Sequence, residues 1–164
     1  MSNPGADFFA LLQELIKRQV DFIIVGGIGA VLQGAPIATF DLDLVHSRNP
    51  ENLERLLFGL QALDAYYREH AETKLRPTTI PLAGPGHHLL MTRSGPLDLL
   101  GTVTKDRSYD DLLEHTIEVQ LAPGLTVKVL DLSMLVTLKE ELGREKDMAV
   151  LPVLRRTLAE RGKA

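Results

Sequence analysis

Apolar positions change period several times along the chain, and each change marks an element. Phe8, Leu11, Leu12, Leu15 and Ile16 keep the i, i+3, i+4, i+7, i+8 spacing of one helical face, which predicts an amphipathic helix over about residues 7–18. Phe22-Ile23-Ile24-Val25 is instead an unbroken apolar run that stops at Gly26-Gly27, the pattern of a buried strand entering a tight turn. From Ile28 to Gln33 only a short helix fits, because Gly34 and Pro36 end it. Phe40 to Val45 then alternates, predicting a half-buried strand with Phe40, Leu42 and Leu44 on one face and Asp41 and Asp43 on the other.

Asn49-Pro50-Glu51 combines a cap residue, a first-turn proline and an acid, and Leu53, Leu56, Leu57, Leu60 and Leu63 continue as a helical stripe. Pro77, Pro81, Gly84, Pro85 and Gly86 break up residues 64–86, so an irregular connection with one short strand is expected there. His87 to Arg93 and Leu97 to Leu100 form two strands joined through Ser94-Gly95-Pro96. Ile117, Val119 and Leu121 pair with Val127 and Val129 across a Pro123-Gly124 turn, as a hairpin. Asp131 caps the next helix, Gly143 ends it, and a last helix runs over roughly 146–161. This order predicts one α/β (α+β) domain over residues 1–164, a mixed central β-sheet flanked by helices, with C-terminal helices from about 131.

Composition narrows the classes. With 45% hydrophobic and 24% charged residues the 164-residue chain is too apolar for general disorder. The absence of cysteine excludes disulfides, a thiol nucleophile and a thiolate zinc site. Met1-Ser2-Asn3-Pro4-Gly5 lacks a charged-then-apolar signal layout, and no apolar run approaches the roughly 18 residues of a membrane span. A cytoplasmic protein without a membrane partner is expected. A net charge of -4 argues against nonspecific nucleic-acid binding, so no DNA partner is expected, and 5% aromatics with no tryptophan make no base-stacking platform.

The candidate chemistry is acidic. Asp41 and Asp43, two apart on a strand, project both carboxylates from one face, where they repel unless a cation lies between them. Mg²⁺ suits that arrangement, and a solvated strand face is the alternative. Asp98 lies opposite Leu97 and Leu99 on its strand and is a third carboxylate for a two-metal cradle, or a surface acid beside a turn. Gly26-Gly27 allows close backbone approach to a phosphate, or is simply the turn that a strand-to-helix step needs. Gly27-Ile28-Gly29 is no dinucleotide fingerprint, since Leu32 occupies its third glycine position. Lys139 falls within the apolar stripe of Leu132, Leu135, Val136 and Leu142, so it either snorkels outward or meets an anion such as a triphosphate. Arg144, Lys146 and Asp147 extend a basic rim or cap and pair at the helix junction. His87 and His88 face opposite ways and cannot chelate one metal together. Arg155, Arg156, Arg161 and Lys163 are expected on a solvated helix face.

Val25-Gly26-Gly27, then Gly34-Ala35-Pro36, Thr39 and Asp41-Leu42-Asp43-Leu44, resembles the signature of minimal bacterial nucleotidyltransferases of the DNA polymerase beta superfamily. Lys139, Leu142-Gly143-Arg144 and Lys146-Asp147 resemble the small toxin-like and uncharacterised branch of that superfamily. The motifs touch roughly residues 20–147, and their combination is more specific than any one piece. The resemblance implies a nucleotidyltransferase fold. It implies that Gly26 and Gly27, with Thr39, Lys139, Arg144 and Lys146, seat a nucleoside triphosphate, and that Asp41, Asp43 and Asp98 hold Mg²⁺ or Mn²⁺. Asp98 would also help activate the hydroxyl of an acceptor such as tRNA, a protein or a small molecule. Ile37 departs from the pattern, because relatives often carry a basic residue after the Gly-x-Pro step. A noncatalytic nucleotide- or RNA-binding module, such as a toxin–antitoxin component, is the second functional expectation, and a structural interaction protein the third.

Overall fold

The computed structural model describes residues 6–162, so Met1–Gly5 and Lys163, named above, lie outside the described residues. Helix α1, Phe8–Lys17, begins where the Asp7 carboxylate accepts a hydrogen bond from the Ala10 amide, and it buries Leu11, Leu12 and Leu15. Strand β1, Phe22–Val25, is buried on both faces and runs directly into α2, Gly26–Leu32. Strand β2, Leu42–His46, leads to α3, Pro50–Ala62, whose Asn49 cap and first-turn proline are those expected.

The stretch 64–86 holds a two-residue strand, β3 (Tyr66–Tyr67), a turn of 3₁₀ helix (Arg68–His70) and a single-turn α4 (Thr79–Leu82). The hairpin of β4, His87–Thr92, and β5, Gly95–Leu100, follows. Next come α5, Tyr109–Leu112, and the hairpin of β6, Thr116–Ala122, with β7, Leu125–Leu130. Helix α6, Leu132–Leu142, is capped by Asp131 and stopped by Gly143 at φ 61°, a left-handed conformation that glycine adopts without penalty. Helix α7, Glu145–Arg161, ends the described chain.

Seven strands form one mixed sheet in the order β3-β4-β5-β2-β1-β7-β6. β1 lies antiparallel to β2 and parallel to β7, while β2 lies parallel to β5. Each face packs its own core. Leu11, Leu15, Leu56 and Leu60 of α1 and α3 cover one side, meeting Ile24, Leu44, Leu90 and Leu99. Ala30, Leu135, Leu138, Leu151 and Leu154 of α2, α6 and α7 cover the other, meeting Ile23, Val25 and Val45. Apolar burial of this kind contributes roughly 25 cal/mol per Å², so both faces help hold the helices on the sheet. No helix of the described residues is long and apolar enough to cross a membrane.

Four local expectations need correction. β2 begins at Leu42, not Phe40, and Phe40 is 81% exposed. The register explains this: Leu42 pairs with Leu97, so Asp41 would oppose Pro96, which has no amide to donate, and β1 has already become a helix on the other side. α2 begins at Gly26, two residues before Ile28, because the glycine pair forms its first turn. Leu142 leaves the apolar stripe of α6 and is 42% exposed. The short α5 was not expected; Ser108 and Asp111 close it with a reciprocal capping box.

Candidate functional site

β2 and β5 run parallel with Asp43 directly opposite Asp98, so both carboxylates leave the same face of the sheet from strands roughly 4.8 Å apart. That face is the one under α6 and α7, because Val45, two residues on from Asp43, belongs to their core. Asp41 stands just before β2, exposed at the mouth of the same cavity. The carboxyl of Asp43 is pushed up to about 7, first by burial, then by its hydrogen bond to Asp98 and by the negative charges of Asp98 and Asp41. Lys139 opposes this rise, which places its ammonium within electrostatic reach of the acids.

A cavity of about 410 Å³ opens over these groups, its polar wall including Asp41, Asp43, Asp98, Arg68, Lys139 and Arg144. Its apolar wall is formed by Leu89, Leu100, Val103, Leu138 and Leu142. A second recess of about 220 Å³ shares Gly26, Asp41, Asp43, Lys139 and Lys146 with it and reaches Thr39, Ile37 and Val150. A more open cleft of about 680 Å³ lies elsewhere, around Arg107, Asp110, Glu114 and His115; it holds no facing pair of strand carboxylates. Mixed apolar walls with a few convergent charges are the usual character of ligand sites, which favours the acidic cavity over the larger cleft.

The two glycines have a packing reason to be there. Gly26 has φ +75°, and a Cβ on it would collide with the Asp43 carboxylate. A Cβ on Gly27 would lie 2.6 Å from Thr39 Oγ1. Glycine at both positions therefore lets β2 and the segment before it close against the start of α2, with Asp43 and Thr39 lining the recess.

The anion that Lys139 meets in the structure is Asp147. Its Nζ donates to Asp147 Oδ1 at 3.1 Å, while Arg144 donates from Nε to Oδ2 at 2.6 Å and from Nη2 to Oδ1 at 3.2 Å. Asp147 is wholly buried at the start of α7. Burial alone would raise its pKa, but the bonds from Arg144 and Lys139 outweigh burial and hold it down at about 2. Asp147 thus anchors two cations on the rim of the acidic cavity, and Lys146 stands exposed beside them. Arg155 and Arg161 turn outward on α7; Arg161 also donates to the side chain of Gln33 at 3.0 Å, and Gln33 in turn accepts from the Leu132 amide.

Arg68 carried no signal in the sequence. It lies in the irregular stretch 64–86, yet its Nη2 donates to Asp98 Oδ1 at 2.8 Å and its Nη1 to the Leu90 carbonyl at 2.7 Å. Nothing in the spacing of Tyr66-Tyr67-Arg68 points toward Asp98; the pairing of β3 with β4 brings it there.

Two oxygen-only side chains that abut on neighbouring strands, one of them pushed up to about 7 by burial and by the acids beside it, fit a hard ion such as Mg²⁺ or Mn²⁺. The third does not yet converge: among the described residues no three His, Cys, Asp or Glu side chains are gathered into a ready metal cage. Asp43 and Asp98 therefore form the base of such a site, with Asp41 at its entrance.

No protein-family model matches the chain, and no curated protein matches it in sequence. Its structure is similar to the crystal structure of a "putative nucleotidyltransferase" from Thermotoga maritima, with a TM-score of 0.56 over 98% of this chain and 96% of that one, at 16% identity. At that identity the likeness is one of fold, and the chain has the mixed α/β architecture of that protein.

Proposed function

We propose that the chain transfers a nucleoside monophosphate from a nucleoside triphosphate to an acceptor hydroxyl, with pyrophosphate as the second product. The observation that carries this reading is the placement of Asp43 opposite Asp98 beneath a cavity whose rim holds Lys139 and Arg144. In the proposed step the acceptor oxygen bonds to the α-phosphorus as the bond from that phosphorus to the bridging oxygen breaks. Asp98 takes the proton of the attacking hydroxyl. Lys139, Arg144 and Lys146 stand where they can offset the charge of the triphosphate, and Gly26 and Gly27 keep the floor of the recess low enough for it to enter. Mg²⁺ or Mn²⁺, held by Asp41, Asp43 and Asp98, would supply charge stabilisation for the attacking and leaving oxygens. Leu89, Leu138 and Leu142 leave the outer part of the cavity apolar, and the acceptor itself is not specified by these walls.

The test is incubation of labelled triphosphates with cell lysate as the acceptor source, comparing the native chain with its Asp41→Asn and Asp43→Asn variants. Native protein should incorporate label and each variant should lose at least about 10³-fold. Incorporation that survives both changes overturns the reading.

Ile37, where relatives often carry a basic residue, favours a second reading, a noncatalytic nucleotide-binding module such as a toxin–antitoxin component. Calorimetry with each triphosphate separates the two: metal-dependent binding without turnover over any acceptor supports the module.

A further inference from the structure

Asp98 differs from the other two acids in having a built partner. Arg68 reaches it from the outer edge of the sheet, and its side chain is only 28% exposed. Both of its bonds come from the guanidinium fork, one to Asp98 on β5 and one to the main chain of β4 at Leu90. Leu90 is the register partner of Leu97, the residue before Asp98, so the fork spans two adjacent strands at one level of the sheet. Tyr67 in turn pairs with Leu90, which fixes the backbone immediately before Arg68. A two-residue strand at the edge of a seven-stranded sheet adds little stability by itself. Its consequence is to hold this guanidinium in place.

Charge compensation alone does not require such an arrangement. A lysine ammonium could neutralise Asp98 as a point charge, but it could not join Oδ1 and the Leu90 carbonyl through one rigid planar group. One arm of the fork engages Oδ1, and Asp43 stands directly opposite Asp98 on the neighbouring strand. Outer partners of this kind set the orientation of metal-ligating carboxylates, and their loss commonly weakens metal binding by about 10–100-fold.

We infer that Arg68 is a positioning residue of the acidic site, fixing the Asp98 carboxylate toward Asp43 so that the two together can hold a divalent cation. The inference rests on the proposed metal-dependent reading of that site. It assigns to Arg68 no contact with the nucleotide or the acceptor.

Two substitutions separate orientation from charge. Arg68→Met removes the fork and the charge; Arg68→Lys keeps the charge and removes the fork. The probe is Mn²⁺ alone, titrated into native and variant chains and followed by electron paramagnetic resonance of the free ion, with thermal melts to confirm that each variant is folded. Both variants should bind Mn²⁺ at least about tenfold more weakly than the native chain, with lysine failing to rescue. Unchanged affinity in either variant, or tighter binding in Arg68→Met, overturns the inference and makes Arg68 a counter-ion that competes with the metal. Asp43→Asn serves as the control. If the native chain binds Mn²⁺ and Asp43→Asn does not, while the Arg68 variants match the native chain, only the role of Arg68 falls. If the native chain does not bind Mn²⁺ at all, the metal-dependent reading falls with it.

Discussion

The two faces of the sheet each bury a polar cluster, and the clusters are opposites. On the α6 and α7 face, Asp43 and Asp98 lie beneath an open cavity, surrounded by Arg68 and by Lys139 and Arg144, the two cations that Asp147 anchors. On the α1 and α3 face, His46 is wholly buried and His88 nearly so, with ring centroids 6.4 Å apart and no cavity over them among those described. His46 Nε2 donates to the Leu82 carbonyl at 2.9 Å and Tyr67 bonds His88 Nδ1 at 2.9 Å, yet His46 Nδ1 and His88 Nε2 have no hydrogen-bond partner among the described residues. Asp43 and His46 are three residues apart on one strand, which is why they face opposite ways. A polar group that opens to solvent can exchange its charge with a ligand; one sealed in apolar packing can only stay neutral or destabilise the fold.

The largest expected effect tests that division directly. Asp43→Asn should remove nucleotidyl transfer by at least about 10³-fold without lowering the melting temperature, since it deletes a charge that burial and its neighbours already disfavour. His46→Gln should leave transfer within about twofold and act on stability alone, because a substitution remote from the chemistry spends its energy on packing. Label-transfer assays and melts on both variants check the pair, and a His46 variant as inactive as the Asp43 variant would dissolve the distinction between the faces.

Titration should separate the faces next. Burial first, and His88 and Arg48 after it, push His46 down to about 4 against the single opposing bond to Leu82. The ionisable groups that act on it are His88 and Arg48, neither of them an acid. As pH falls below about 6.5 the unfolded chain takes up a proton at this residue and the folded chain does not, so stability is lost between about 6.5 and 4. Asp43 works the other way. Its folded carboxyl keeps a proton up to about 7 while the unfolded one releases it near 3.8, so its contribution rises as pH falls across that window. The His46 slope amounts to about 3 kcal/mol over its window and that of Asp43 to about 4 kcal/mol, and in the native chain they oppose each other. Urea unfolding between pH 4.5 and 7 should therefore show opposite tilts: Asp43→Asn becomes less stable toward acid, and His46→Gln more stable. Parallel tilts in the two variants would refute the assignment of one titrating group to each face.

A third effect, about 2–3 kcal/mol, is expected from Asp147→Asn, which leaves the Lys139 and Arg144 charges facing a buried amide. The usual cost of breaking a buried pair is reduced here because both cations are partly exposed and can turn to water. Chemical denaturation measures the loss, and the affinity for triphosphate should fall with it if those cations line the nucleotide path.

How far these clusters were legible in the sequence follows from what holds them. Asp41, Asp43 and Asp98 stood out because period two assigns a face to each, and the parallel register then supplied the one relation that spacing cannot encode, Asp43 opposite Asp98. Caps at Asn49, Asp131 and Gly143 were readable because they are local chemistry. Arg68 was not, since its partner is thirty residues away and it sits in a stretch without periodicity. The burial of His46 was hidden as well, because it ends a strand that the alternation led only to Val45. Phe40 misled for a related reason: its apolar character fits the strand pattern, but β1 has already become α2 on one side and Pro96 offers no amide on the other.

The smallest prediction concerns the point where the two faces meet. Tyr67 and Arg68 are adjacent at the end of β3, yet the tyrosine hydroxyl goes to His88 while the guanidinium goes to Asp98. Tyr67→Phe removes one hydroxyl from a partly buried pair and leaves the ring packed against His88, which should cost about 1 kcal/mol. The β3 and β4 pairing depends on main-chain bonds and survives the change, so Arg68 stays in place. Mn²⁺ affinity should accordingly be native in Tyr67→Phe and weakened in Arg68→Met, although the substitutions are one residue apart. If Tyr67→Phe weakens Mn²⁺ binding as much as Arg68→Met does, the edge strand couples the two clusters and they are not independent.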